Sequence, residues 1–139
     1  MASGVYNQFK TEIMRGSIDL ANDTIKCALL NNSHSFSASA VGWGSPDENE
    51  ITGTGYSADG ETLTVTVSQD DSDNEGVFDA ADVEWTGATF SAYHAVIYDF
   101  SVSSPLKPLI CSIDFEGEQQ VTGGTFTIQW AAEGIVNIT

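Results

Sequence analysis

The apolar residues of this chain fall first at a spacing of four and then, for most of its length, at a spacing of two. Val5, Phe9 and Ile13 recur every fourth residue, with Met14 adjacent and Gly16 just behind. That spacing lays one apolar stripe along a short helix, and the glycine supplies its stop. From Thr24 onward the period is that of strands. Residues 24–30 are near-continuously apolar after Lys26, and residues 62–68 alternate, with Leu63, Val65 and Val67 on one face. Residues 83–86 and 89–91 predict two short strands divided by Gly87-Ala88. Residues 93–100 are apolar on both faces, which predicts a central strand. Leu109, Cys111, Ile113 and Phe115 share one side of a further strand, residues 125–130 alternate again, and residues 134–138 close the chain.

Turn-forming residues punctuate these runs at Asn31-Asn32-Ser33, Asp59-Gly60, 70–76, 103–108 and Gly123-Gly124. Short strands at this spacing predict an all-β fold: an antiparallel β-sandwich, jelly-roll or Greek-key-like, with a short N-terminal helix. Two segments are expected, a helical docking segment over 1–16 and one sandwich domain over 17–139. The longest irregular stretch, residues 31–49, has the length of an interaction loop.

With 139 residues the chain has room for one domain and a core that needs no metal or disulfide to fold. Charge narrows the partners. Twenty acids face four bases, a net charge of −16. No Lys or Arg stands between Cys27 and Leu106, so the basic footprint that nucleic acid or an anionic membrane demands is missing. The imbalance is also local. Residues 1–26 are neutral, with three bases and three acids, and the rest carries Lys107 and 17 acids. No apolar run reaches the ~20 residues of a membrane span. The polar N-terminus lacks the apolar core of a signal peptide, so synthesis and use without export are expected. Cys27 and Cys111 lie in apolar strand runs and read as buried free thiols.

Candidate chemistry is sparse. Asp71, Asp73, Glu75, Asp79 and Asp82, with Gly76 at the sixth position, match the ligand spacing of a calcium loop. The shorter Asp82 at position twelve and strand-like flanks depart from that template, and a solvated acidic hairpin turn explains the same residues. No metal or cofactor is assigned. His34 and His94 lack the spacing of a zinc pair. No nucleophile elbow, phosphate loop or dinucleotide fingerprint is present. Carboxylate pairs such as Asp47-Glu48 could serve glycan hydrolysis, but in so acidic a chain proximity says little. A non-enzymatic role is expected. Most aromatics sit on strands, whereas Trp43 and Tyr56 lie in glycine-rich loops, where a ring can act as an interface or sugar-stacking anchor.

Five segments, in order, carry a resemblance. They are Gly16 to Leu30 (GSIDLANDTIKCALL), Asn49 to Tyr56 (NEITGTGY), Val77 to Trp85 (VFDAADVEW), Ala95 to Tyr98 (AVIY) and Gly124 to Trp130 (GTFTIQW). Together they resemble a family of small virion proteins of tailed bacteriophages, encoded among head and structural genes. The resemblance implies a head decoration or cement protein on the capsid surface, made in the host cytoplasm. Its expected partners are the major capsid protein, further copies of itself, or both. It brings no catalytic residue. On this reading Val5, Tyr6, Phe9, Ile13 and Met14 are the docking residues. The alternative is a tail or spike component that binds a host-surface glycan through Trp43 and Tyr56.

Overall fold

A computed structural model describes residues 2–139. Eight strands form two antiparallel sheets with one short helix, an all-β, sandwich-like fold. Strand β1 (Gly4–Val5) leads into helix α1 (Asn7–Arg15), followed by β2 (Ile25–Leu30), β3 (Glu61–Thr62), β4 (Val65–Asp70), β5 (Glu75–Ala80), β6 (Val83–Asp99), β7 (Leu109–Ile128) and β8 (Val136–Ile138). The larger sheet has the order β1-β7-β6-β2-β3 and the smaller one β4-β5-β8.

Strand β6 is central, as its two apolar faces require. It pairs with β2 on one side and β7 on the other. Alternation along β2 divides the two cores. Cys27 and Leu29 face the main cluster between the sheets, with Phe9, Ile97, Trp85 and Phe126. Ala28 and Leu30 face the other way, into a second cluster with Tyr6, Trp43, Val96, Tyr98 and Leu109. The larger sheet is therefore covered on both faces, and the covering of the second face comes from the irregular segment after β2.

Four expectations change. The three strands expected over 83–100 are one long strand, as are the two expected over 109–130. Gly87 and Gly123, both at positive φ, sit at register shifts between β6 and β7, where the backbone bulges and continues instead of turning. A third irregularity lies between Ala92 and His94, opposite Glu116 and Gly117 at positive φ. Next, the alternating run 62–68 is not one strand. Thr62 ends β3 in the larger sheet, and Val65 begins β4 in the smaller one. The chain changes sheet at Leu63-Thr64, so Val67 on the far side is exposed. Third, β5 is a strand not expected: it begins in the last two residues of the turn run 70–76 and continues through a stretch given no element. Fourth, the expected docking segment over 1–16, described from residue 2, packs onto the sandwich. Strand β1 pairs with β7, Ala2 N–H donates to the Ile135 carbonyl, and Phe9 is part of the main core. Burying Phe9 alone contributes about 1.5–3 kcal/mol to the fold.

Both cysteines are free and buried. Cys27 lies opposite Ile97, and Ile97 opposite Cys111, so the thiols stand two strands apart. Two strand spacings are roughly 9–10 Å, beyond the ~7 Å Cα limit of a disulfide. Burial pushes the Cys111 thiol up to about 12 and the Cys27 thiol higher still, which keeps both protonated.

Candidate functional site

Helix α1 has a face on the core and a face that leaves it. Successive helical residues are about 100° apart, so Ile13 stands roughly 40° from Phe9 and Met14 roughly 140°. The burial follows. Phe9 is buried, Ile13 is half-buried, and Met14 is 81% exposed. On the other flank Glu12 is buried and held by the Arg15 guanidinium at 3.3 Å. Gly16, at φ 77°, closes the helix by donating its N–H to the Glu12 and Ile13 carbonyls.

Beside α1 runs β8, which pairs only with β5. Val136 and Ile138 point to one side of it, Val136 buried and Ile138 52% exposed. Between helix and strand lies a groove of about 480 Å³, lined by Val5, Phe9, Ile13, Met14, Val136 and Ile138, with Lys10, Asn137 and Thr139 as its polar members. Its walls are hydrocarbon and thioether, and its one charged side chain is the Lys10 ammonium. Such a surface suits the apolar face of another macromolecule.

The docking set therefore divides. Val5, Ile13 and Met14 line the groove with their surfaces partly or largely free. Phe9 forms only its floor, and Tyr6 is not in it. Tyr6 is 1% exposed, packs in the second core cluster against Phe36, and bonds Ser112 through its hydroxyl. Burial pushes that phenol up to about 12. The groove's other wall, Val136 and Ile138, was read only as a closing strand. Its alternation in the last apolar run marks a strand face, but nothing in one sequence says that α1 lies next to it.

The loop aromatics are not free anchors. The Trp43 ring is buried, stacks on Tyr98 at 4.6 Å and 7°, and donates its indole N–H to Asp59 at 3.1 Å. No ring face remains for a sugar. Tyr56 is half-buried. Its hydroxyl donates to Glu50 Oε2 at 2.5 Å and accepts the Leu29 N–H at 3.0 Å. The same Glu50 oxygen accepts the Asp59 N–H, and Tyr98 donates to the Asp59 carbonyl. Burial raises the Glu50 carboxyl, while the Tyr56 and Asp59 donors pull it back. Gly60, at φ 83°, lies against the Cys27 carbonyl and Ala28 Cα, a close approach that leaves no room for a Cβ. These contacts seal the loop onto β2.

Two further candidates come together differently from their spacing. His34 and His94, 60 positions apart, meet edge to face with ring centroids 5.0 Å apart. His34 Nε2 lies 3.4 Å from Ser112 Oγ, and His94 Nδ1 lies 3.7 Å from Asp114 Oδ1. A cavity of about 250 Å³ beside His34 is lined by loop serines, Tyr6 and Glu48. Ser112 is 2% exposed and not among its lining residues, so its hydroxyl has no approach for a substrate.

The calcium-loop alignment does not close around one centre. Residues 71–74 form a hairpin turn, while Glu75 and Asp79 are in β5. Asp82 accepts the Trp130 N–H at 3.1 Å, tying the chain there to the end of β7. The carboxylates that do gather are Asp70, Asp73 and Glu75, within 4.8 Å of one another. Asp70 already accepts the Ser72 N–H, Ser72 hydroxyl and Asp73 N–H, the pattern of a side chain capping its own turn. Those donors, led by Ser72, hold its carboxyl below the usual range.

The fold is an all-β domain with an apolar groove between α1 and β8. Compared with known protein families, curated proteins and solved structures, the chain finds no match.

Proposed function

We propose that this chain is a non-enzymatic structural protein of a bacteriophage particle, a decoration or cement protein that seats its α1–β8 groove on the major capsid protein. The carrying observation is the groove itself. Met14 and Ile138, 81% and 52% exposed, flank a continuous apolar surface on a chain of net charge −16. An apolar contact bordered by Lys10 gives attraction, and the acidic remainder keeps neighbouring copies apart. The phage context rests on the ordered sequence resemblance and is tested with it. Burial of Trp43 removes the main anchor of the glycan reading, so the spike alternative has no support in this geometry.

The test is co-sedimentation of the purified protein with phage capsids that lack it. Wild type should saturate the shell at a copy number in the hundreds. A Met14→Asp, Ile138→Asp double variant, still folded, should lose most of that binding. Undiminished binding by the variant would reject the groove, and no binding by wild type would reject the capsid.

A further inference from the structure

The chain leaves α1 through the turn 19–23 and enters β2 beside the end of β6, and there two carboxyl groups face each other. Asp99, the last residue of β6, is fully buried. Its Oδ1 accepts the Ser101 N–H at 3.1 Å and the Ser101 hydroxyl at 2.9 Å. Its buried Oδ2 meets no N–H or hydroxyl donor. Beside it stands the half-buried Asp23, set there by the pairing of Ile25 with Asp99 and by the Phe100 N–H donating to the Thr24 carbonyl, with its carboxyl within hydrogen-bond reach of the Asp99 carboxyl. Asp23 in turn accepts the Asp19 N–H at 2.9 Å, and Asp19 turns its own carboxylate to Ala21 N–H and the Asn22 amide. The nearby cations do not reach the pair's contact. Lys26 of β2 and Lys107 of the following loop both lay their ammonium groups over the Phe100 ring, at 4.2 and 4.4 Å.

A second charge on the buried Asp99 beside the half-buried Asp23 is disfavoured, because their repulsion adds to the cost of burying the Asp99 carboxylate. One proton between them turns that repulsion into a short, charge-assisted O–H···O hydrogen bond. We propose that Asp23 and Asp99 form a proton-binding site that latches the turn 19–23 to β6 and loosens it when the proton leaves. The electrostatics agree with the geometry. Burial, and after it the Asp23 contact, push the Asp99 carboxyl up to about 7, against the lowering effect of Ser101. An unfolded aspartate titrates near 3.9. Between there and about 7 the folded chain holds a proton that the unfolded chain has lost. The folded state therefore loses stability as pH rises across that window, and the loss is complete above it.

The Asp99→Asn variant isolates this pair from the other acids. Its amide keeps an acceptor for Ser101 and offers Asp23 a permanent N–H donor. The full chain and the variant should melt within a degree or two of each other at about pH 5, and the variant several degrees higher at about pH 8. Carboxyl-carbon NMR should place the Asp99 midpoint within about one unit of neutrality. A midpoint near 4, or the same melting difference at both pH values, would overturn the proposal. Where Asp99→Asn fails to fold, Asp23→Asn must give the same pH-dependent gain. Millimolar Ca²⁺ at about pH 8 is the control for a cation in place of the proton. Calcium that raises the wild-type melting temperature but not the variant's would likewise overturn it.

Discussion

The loop cover over residues 31–60 and the groove between α1 and β8 both gather apolar groups outside the strands' own pairing, and they end in opposite states. In the cover, Trp43 and Tyr56 have polar handles that find partners, Asp59 and Glu50, and Tyr98 of β6 beneath them donates to the Asp59 backbone. In the groove, Met14, Ile13 and Ile138 have no handle, and no described segment of the chain lies over Met14 and Ile138. Rings with hydrogen-bonding groups can be locked into an irregular segment at fixed geometry, which lets a loop serve as core. A purely aliphatic strip waits for shape alone. The residues with the look of binding anchors thus hold the protein together, and the plain ones, Met14 and Ile138, stay exposed.

The largest expected effect tests that contrast directly. Trp43→Ala removes a buried stacked ring and should cost about 3–5 kcal/mol in chemical denaturation, whereas Met14→Ala should stay within about 0.5 kcal/mol of wild type. Equal effects would erase the distinction between cover and groove. Tyr56→Phe comes next. It leaves the half-buried Glu50 carboxylate short of a donor and the Leu29 N–H without an acceptor, for a loss of about 1–3 kcal/mol. A near-neutral result would mean the loop is held by packing and not by its hydrogen bonds.

Smaller still is the effect of acid on the cover. Burial first, and the neighbouring His94 second, hold the His34 imidazole below its ordinary 6.5, with Asp114 opposing them. A base depressed on folding binds its proton more readily in the unfolded or opened chain. Stability from neutral His34 is therefore complete above 6.5 and is lost as pH falls through its folded value. Ring-proton NMR of the chain's two histidines checks this: His34 should titrate below 6.5, with loop resonances broadening in the same range, and a midpoint at or above 6.5 would refute it. The groove, with Lys10 as its one titratable side chain, should not change over that range.

Much of the architecture was legible because it follows from periodicity. The double-faced apolar run 93–100 identified the central strand, and the spacing of Phe9 and Ile13 identified the helix, although Val5, expected on the same stripe, belongs to β1. What periodicity could not give was continuity. Gly87-Ala88 and Gly123-Gly124 have the composition of turns, yet at positive φ they bulge within β6 and β7. Strand β5 hid within an acidic stretch whose only buried residue is Phe78. For the site, helical spacing identified the stripe but not its inner and outer limits, since Phe9 and Met14 are equally apolar. The pairing of Asp23 with Asp99 joins residues 76 positions apart and left no local signal at all.

The larger sheet ends in two strands, β1 and β3, of only two residues each. Unpaired backbone at a sheet's border is the usual template on which chains add to one another. Strand β1 covers β7 only at Cys111 and Ser112, so the outer edge of β7 has no described strand beside it from Ile113 onward. Charge guards that edge with Asp114, Glu116 and Glu118, as Asp70 and Asp71 guard the end of the border strand β4. A second copy pairing at either place would bring these acids against its own, which disfavours growth into fibrils.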